Sequence, residues 1–295
     1  MLSAGSLAIH QIEKHEEPAP PQLLQLEGRI VPTNFPVTSL ADTATGGTLR
    51  EAIGLANTTA GDDTIDFASS LFSGGAGTIT LLTAQLPQIL SASGTVGAGT
   101  RGTLTITGPG ASTLTISGDN GVSGRDFRIF DIASGGNLSI SGVTVTGANT
   151  SGIGGAFNNS GSLTVSNSTI SGNFALGGSG GGIFNNVDAT LTVTNSTISG
   201  NTANIGGGIY NRTNYGTLNI ANTIIANSNT GGDYAGGGTV NLISGATAVN
   251  NIVTLGSFSW ASDLACAWGK STDTPCCNKG AVTMKIINNT SITSI

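Results

Sequence analysis

The stretch LTVTNSTISGN at residues 191–201 has a near copy, LTVSNSTISGN at residues 163–173, and GGGIFNN (residues 180–186) lies between the two. Catalytic chemistry seldom requires such a phrase twice; a chain that stacks on itself does. Each copy alternates apolar and polar residues, breaks at Asn or Gly, and alternates again, which is the rhythm of short strands joined by bends.

Working outward, the same phrase recurs with a leading leucine at Leu114 (LTISGDN), Leu138 (LSISGVTVTGAN) and Leu218 (LNIANTIIANS), giving steps of 24, 25, 28 and 27 residues from Leu114 through Leu138, Leu163 and Leu191 to Leu218. A second motif runs between the phrases: GGAFNN at Gly154, GGGIFNN at Gly180 and GGGIYN at Gly206. A period in the middle twenties fits leucine-rich repeats or a parallel β-helix. The former need a helical or 3₁₀ segment with L-x-x-L-x-L phrasing, which these phrases lack. The expected fold is therefore all-β: a right-handed, single-stranded parallel β-helix of about nine coils, stacked roughly 4.8 Å apart. Leu163 should lie below Leu191, Ile170 below Ile198, and Phe157 below Phe184 below Tyr210. Asn173, Asn201 and Asn227 should hydrogen-bond up the stack as Asn ladders do in cross-β assemblies.

Composition agrees. The 295 residues include 46 glycines, with only 9% charged and 5% aromatic residues, which reads as a turn-rich β chain rather than a disordered one. A net charge of −6 with ten Lys and Arg in all argues against a nucleic-acid partner, since phosphate binding needs clustered cations. No apolar run reaches the length of a transmembrane helix.

Residues 1–35 carry both histidines (His10, His15) and a PAPP break, and read as a leader or linker that makes a poor secretion signal. FPVTSLADT (residues 35–43) reads as a strand. In GGTLREAIGLAN, Thr48 and Glu51 have capping-box spacing, and Leu49, Ala52, Ile53 and Ala56 share one helical face, so a capping helix is expected at about 48–57. Residues 62–67 and 77–81 read as strands, and the β-helix as a whole spans 36–263. Residues 264–295 are another text: all three cysteines (Cys266, Cys276, Cys277) and three of the four lysines fall there, with neither disulfide nor zinc spacing. The expectation is a partly disordered tail produced by a frameshifted or truncated gene end.

TSLADTATGGTLREAIGLAN resembles the N-terminal region named for its C-S-L-R-E-A-I motif in bacterial surface and secreted proteins, with Thr48 in place of Ser and no matching Cys. GGGIFNN and GGGIYN are similar to the G-G-x-I and F-x-x-N repeats of polymorphic outer-membrane-protein-like β-helices, and QLEGRIVPT (residues 25–33) looks like a phrase preceding this region in planctomycete surface proteins. The resemblance covers about residues 36–260 and implies an exported bacterial protein, extracellular or at the cell surface. It would be adhesin-like or structural, with glycans or host and cell-surface components as partners.

Right-handed β-helices also include pectate lyases and polygalacturonases, so the rival is a polysaccharide lyase or glycoside hydrolase. Elimination needs a base and often carboxylate-held Ca²⁺; hydrolysis needs two carboxylates at a set gap. Two clusters qualify: Asp62, Asp63 and Asp66, as weak Ca²⁺ ligands, and Arg125, Asp126, Arg128 and Asp131, as catalytic candidates. The bland readings are a solvated strand entrance for the first, where alternation puts Asp62 and Asp66 on one face and Asp63 on the other, and local ion pairing for the second. No charged side chain occurs from Ile132 to Val187, so acid–base chemistry has little to work with on the repeat faces. The expectation is a non-catalytic chain without cofactor. A flat Thr/Ser/Asn face is suited to ice or glycans when outward threonines form a regular two-row array; residues 103–118 (TLTITG to TLTISG) keep such an array only briefly.

Overall fold

The computed structural model describes residues 32–96, 99–118, 126–213 and 215–243, with the backbone of three further strands at Asn250–Thr254, Thr283–Ile287 and Ile292–Ser294. Its parallel strands stack into a β-solenoid of about seven turns.

One complete turn shows how the sequence produces the shape. Ser162–Ser166 belongs to a first sheet, Thr169–Ser171 to a second, Phe174–Ser179 to a third and Ile183–Asn185 to a fourth, after which Thr190–Thr194 rejoins the first. Each corner is a residue in left-handed conformation: Asn167 (φ 50°), Gly172 (φ 63°), Gly180 (φ 69°) and Asp188 (φ 58°). Glycine enters that region without steric cost, and Asn and Asp tolerate it better than other side chains. Approaching the fourth sheet, the run of glycines has a second reason. A Cβ on Gly181 would collide with the carbonyl oxygens of Thr202 and Gly207 in the turn stacked on it.

The expected ladders form. Leu163 pairs with Leu191 and Ile170 with Ile198, all four fully buried. The inner column of the first sheet runs Leu104, Leu138, Leu163, Leu191, Leu218. Removing each such side chain from water contributes about 1.5–3 kcal/mol before entropy is charged against it.

Four expectations are corrected. Leu114 does not stack on Leu138: it pairs with Gly77 in the second sheet, and Leu104 holds the first-sheet position. TLTITG and TLTISG, alike as text, are two sides of one turn. The turns number about seven rather than nine because the early ones are long: Asp63 pairs with Leu104, 41 positions on, and Leu104 with Leu138, 34 on. Phe157 pairs with Ile183, because GGAFNN is one residue shorter than GGGIFNN, which puts Asn158 below Phe184. The aromatic stacks are accordingly Phe130 on Phe157, with centroids 4.9 Å apart, and Phe184 on Tyr210 at 5.2 Å. Finally, residues 35–43 contain no continuous strand; Thr33–Asn34 pairs with Asp63 and Thr64, and Val37 bridges to Phe67.

The helix, α1, spans Leu49–Ala56, and its apolar face (Leu49, Ala52, Ile53, Ala56) is buried in the same cluster as Ile65 and Ile106. Thr48 Oγ1 accepts from Glu51 N at 3.2 Å, while Glu51 Oε2 accepts from Gly47 N at 2.7 Å, so the box closes one residue further back than the usual reciprocal pair. At the other end, Thr283–Ile287 pairs antiparallel with Asn250–Thr254, and Ile292–Ser294 with Thr283–Ile287. Residues 264–280, expected to be poorly ordered, lie outside the described residues.

Candidate functional site

The three acids near the cap are separated by the pleat of Gly61–Ile65 and its continuation. Asp63 points inward and is 3% exposed; its carboxylate accepts from Thr33 N at 3.3 Å and from the Thr59 hydroxyl. Asp62 points outward and takes Thr103 N at 2.7 Å, and Asp66 takes Asn34 Nδ2 at 3.1 Å. Each carboxylate thus ties one turn to its neighbour, and they do not converge. Among the described residues no three His, Cys, Asp or Glu side chains come close enough to hold a metal ion.

In the second cluster Arg125 lies outside the described residues. Arg128 Nη1 meets Asp131 Oδ1 at 3.0 Å, the local pair that the sequence suggests. Asp131 then fills its remaining capacity from other turns, accepting from Asn158 Nδ2 at 2.7 Å and Gln88 Nε2 at 2.6 Å. Asp126 instead faces Ser151, accepting from its N–H at 2.7 Å and its hydroxyl at 2.6 Å. Those two bonds hold the Asp126 carboxyl below the ordinary carboxylate range, because hydrogen bonds to the ionised form favour it. A depressed carboxyl is a poor general acid at neutral pH. The cluster brings Arg128 and Asp131 together and leaves Asp126 outside that pair.

The outward faces are more regular than the sequence suggests. On the second sheet one outward column runs Thr78, Thr115, Thr144, Thr169, Thr197, and beside it a second runs Thr80, Ser117, Thr146, Ser171, Ser199. The register carries no shift between these strands, so two rows of hydroxyls continue over five turns before ending at Ile224 and Ala226. On the first sheet the central outward column is Thr64, Thr105, Ser139, Thr164, Thr192, Asn219. The expectation that the two-row array is brief is therefore corrected. The signal was present in the T-x-T or T-x-S tripeptides at 78–80, 115–117, 144–146, 169–171 and 197–199, but reading Leu114 into the wrong sheet hid their alignment.

Two buried amide ladders run up the stack, one just past the second sheet and one in the fourth. Asn173 Nδ2 donates to Asn201 Oδ1 at 3.0 Å. Asn227 does not continue that ladder: it occupies the left-handed corner (φ 58°) that Gly172 and Gly200 hold in the turns below. The sequence reading missed the second ladder, in which Asn159 Nδ2 donates to Asn185 Oδ1 at 2.7 Å and Asn185 Nδ2 to Asn211 Oδ1 at 2.8 Å. Its signal is an Asn in each FNN or IYN phrase, the second residue after Phe157 but the first after Phe184 and Tyr210.

Comparison with protein-family models, curated proteins and solved structures finds no match. No helix among the described residues is long and apolar enough to cross a membrane.

Proposed function

We propose that this chain is a non-catalytic, exported bacterial surface protein, adhesin-like or structural, whose β-solenoid presents a flat polar face to glycans or other surfaces. The observation that carries the reading is the in-register outward columns of hydroxyl and amide side chains on the first two sheets. Charged side chains are absent from 132 to 187 and again from 189 to 211, so this face offers many weak, repeated hydrogen-bonding positions and no acid–base pair. Repetition of that kind favours binding to an extended or periodic partner, because each additional site acts at high effective concentration once the first is engaged. Export rests on the likeness of TLREAI and GGGIFNN to motifs of bacterial surface β-helices.

A glycan-array screen run beside a polyuronate elimination assay, with and without Ca²⁺, tests the reading. The expected result is retention on extended glycans or another periodic surface with no unsaturated product. Product that forms in the wild type and disappears in Arg128→Ala would install the polysaccharide lyase in its place.

A further inference from the structure

We propose that the outward face of the second sheet, the paired Thr and Thr/Ser columns from Thr78 to Ser199, is an ice-binding surface. The inference rests on the reading that the solenoid works by presenting a face, and names the partner of one sheet as crystalline water.

The grid is the first argument. Parallel strands in register are spaced about 4.8 Å apart, and outward residues two positions apart on a strand are separated by roughly 6.6 Å. The two columns therefore form a near-rectangular lattice of hydroxyls, and these two spacings are close to oxygen repeats on exposed planes of ice. An aperiodic solute gains nothing from five identical rungs; a crystal does.

Four of these hydroxyls in the central rungs are also available. Those of Thr169, Ser171, Thr197 and Ser199 make no hydrogen bond to the described residues, whereas the inward Ser168 and Ser196 beside them donate to Ser166 O and Thr194 O. Thr144 is a partial exception, its hydroxyl donating to Ala111 O. Threonine is stiff at χ1, and the outward side chains of these rungs are half-buried. Little rotamer freedom is left to lose on binding, which is where preorganised surfaces gain affinity.

Chemistry separates ice from a sugar. Each Thr offers a methyl beside its hydroxyl, so water is ordered over an apolar patch and anchored at its edge. No charged group, whose own hydration would break the lattice, stands in either column. Aromatic platforms, which a glycan site would use for its ring faces, are absent from these columns; Phe184 and Tyr210 belong to the fourth sheet.

The test uses the full chain. Seeded ice crystals in a solution of wild type should be shaped and should stop growing over a measurable interval below the melting point. Thr169→Tyr should lose that interval, and Leu176→Tyr, at an exposed position of the third sheet, should keep it, with all three proteins melting alike by circular dichroism. Ser171→Tyr makes the same test on the neighbouring column should Thr169→Tyr melt early. A folded wild type with no growth arrest, or arrest that survives both Thr169→Tyr and Ser171→Tyr, overturns the assignment. Glycan binding without growth arrest overturns the ice assignment while leaving the face-presenting reading intact, and the absence of both sinks the two together.

Discussion

At the scale of the residue, asparagine does two jobs that its sequence context barely separates. Asn167, Asn195 and Asn222 stand at one corner with φ near +50°, whereas Asn159, Asn185 and Asn211 are buried and pass hydrogen bonds up the stack. Asn185 is the central rung, so Asn185→Ala leaves Asn159 and Asn211 each short of a partner. Since an orphaned buried polar group costs about 1–3 kcal/mol, the expected loss is about 3 kcal/mol in denaturant unfolding, and a loss below about 1 kcal/mol would mean that the ladder contributes no more than a typical single bond. Asn227→Gly at the corner should be near neutral, because glycine adopts the left-handed region freely. Asp126 supplies a pH signature. Its folded-state affinity for a proton is lowered by Ser151, so its contribution is present above the ordinary Asp range and is lost as pH falls through the depressed folded value. Melting temperatures taken from neutral pH to about pH 2 should fall on the acid side, and Ser151→Ala should flatten that limb slightly, the group being exposed. These roles were only partly legible. The Asn173–Asn201 rung follows from the repeat, but Asn227 takes a glycine's place, and Phe157 is displaced by a one-residue difference in a glycine run that text alignment cannot weigh.

At the scale of the element, the cap was the most readable part of the chain, because a helix declares itself locally: Thr48 and Glu51 fix its start, and four apolar residues at helical spacing fix its buried face. Thr48→Ala should cost about 1 kcal/mol as the loss of an N-cap. Arg50 is less obvious from sequence. It forms a bidentate pair with Asp42 at 2.7 and 3.1 Å and also donates to Ala84 O and Gln85 O, so it links the helix to two loops. Lysine cannot reproduce a planar fork with this many directed donors. Arg50→Lys should therefore destabilise nearly as much as Arg50→Ala in thermal melts; full rescue by lysine would show that charge alone matters there. The strands were legible as strands and much less so as members of a sheet. LTITG at Leu104 and LTISG at Leu114 have the same alternation, and nothing local tells that they lie on different sides of one turn. Sheet membership is set by what stacks above and below, a long-range property, which is why the outward Thr array emerged only from the register.

At the scale of the whole molecule, a solenoid is close to one-dimensional: each turn touches its neighbours and little else, so stability is a sum of turn and interface terms and damage spreads by nearest neighbours. Ile198 is suited to test this, being fully buried between Ile170 below and Ile225 above. Ile198→Asp places an unpaired charge in that column, which the turn can relieve only by opening. Amide hydrogen exchange in the wild type should be slowest in the central turns, around Leu191 and Ile198, and faster toward the ends, where stacking is one-sided. In Ile198→Asp, exchange should accelerate in Thr190–Thr194 and Thr197–Ser199, and next in Ser162–Ser166 and Thr217–Ala221 on either side. Protection in α1 and Gly61–Ile65, several turns away, should change little. Two results would count against this picture: equal acceleration everywhere, which would mean that the chain unfolds as one cooperative block, and no acceleration at all, which would mean that residue 198 does not face the core.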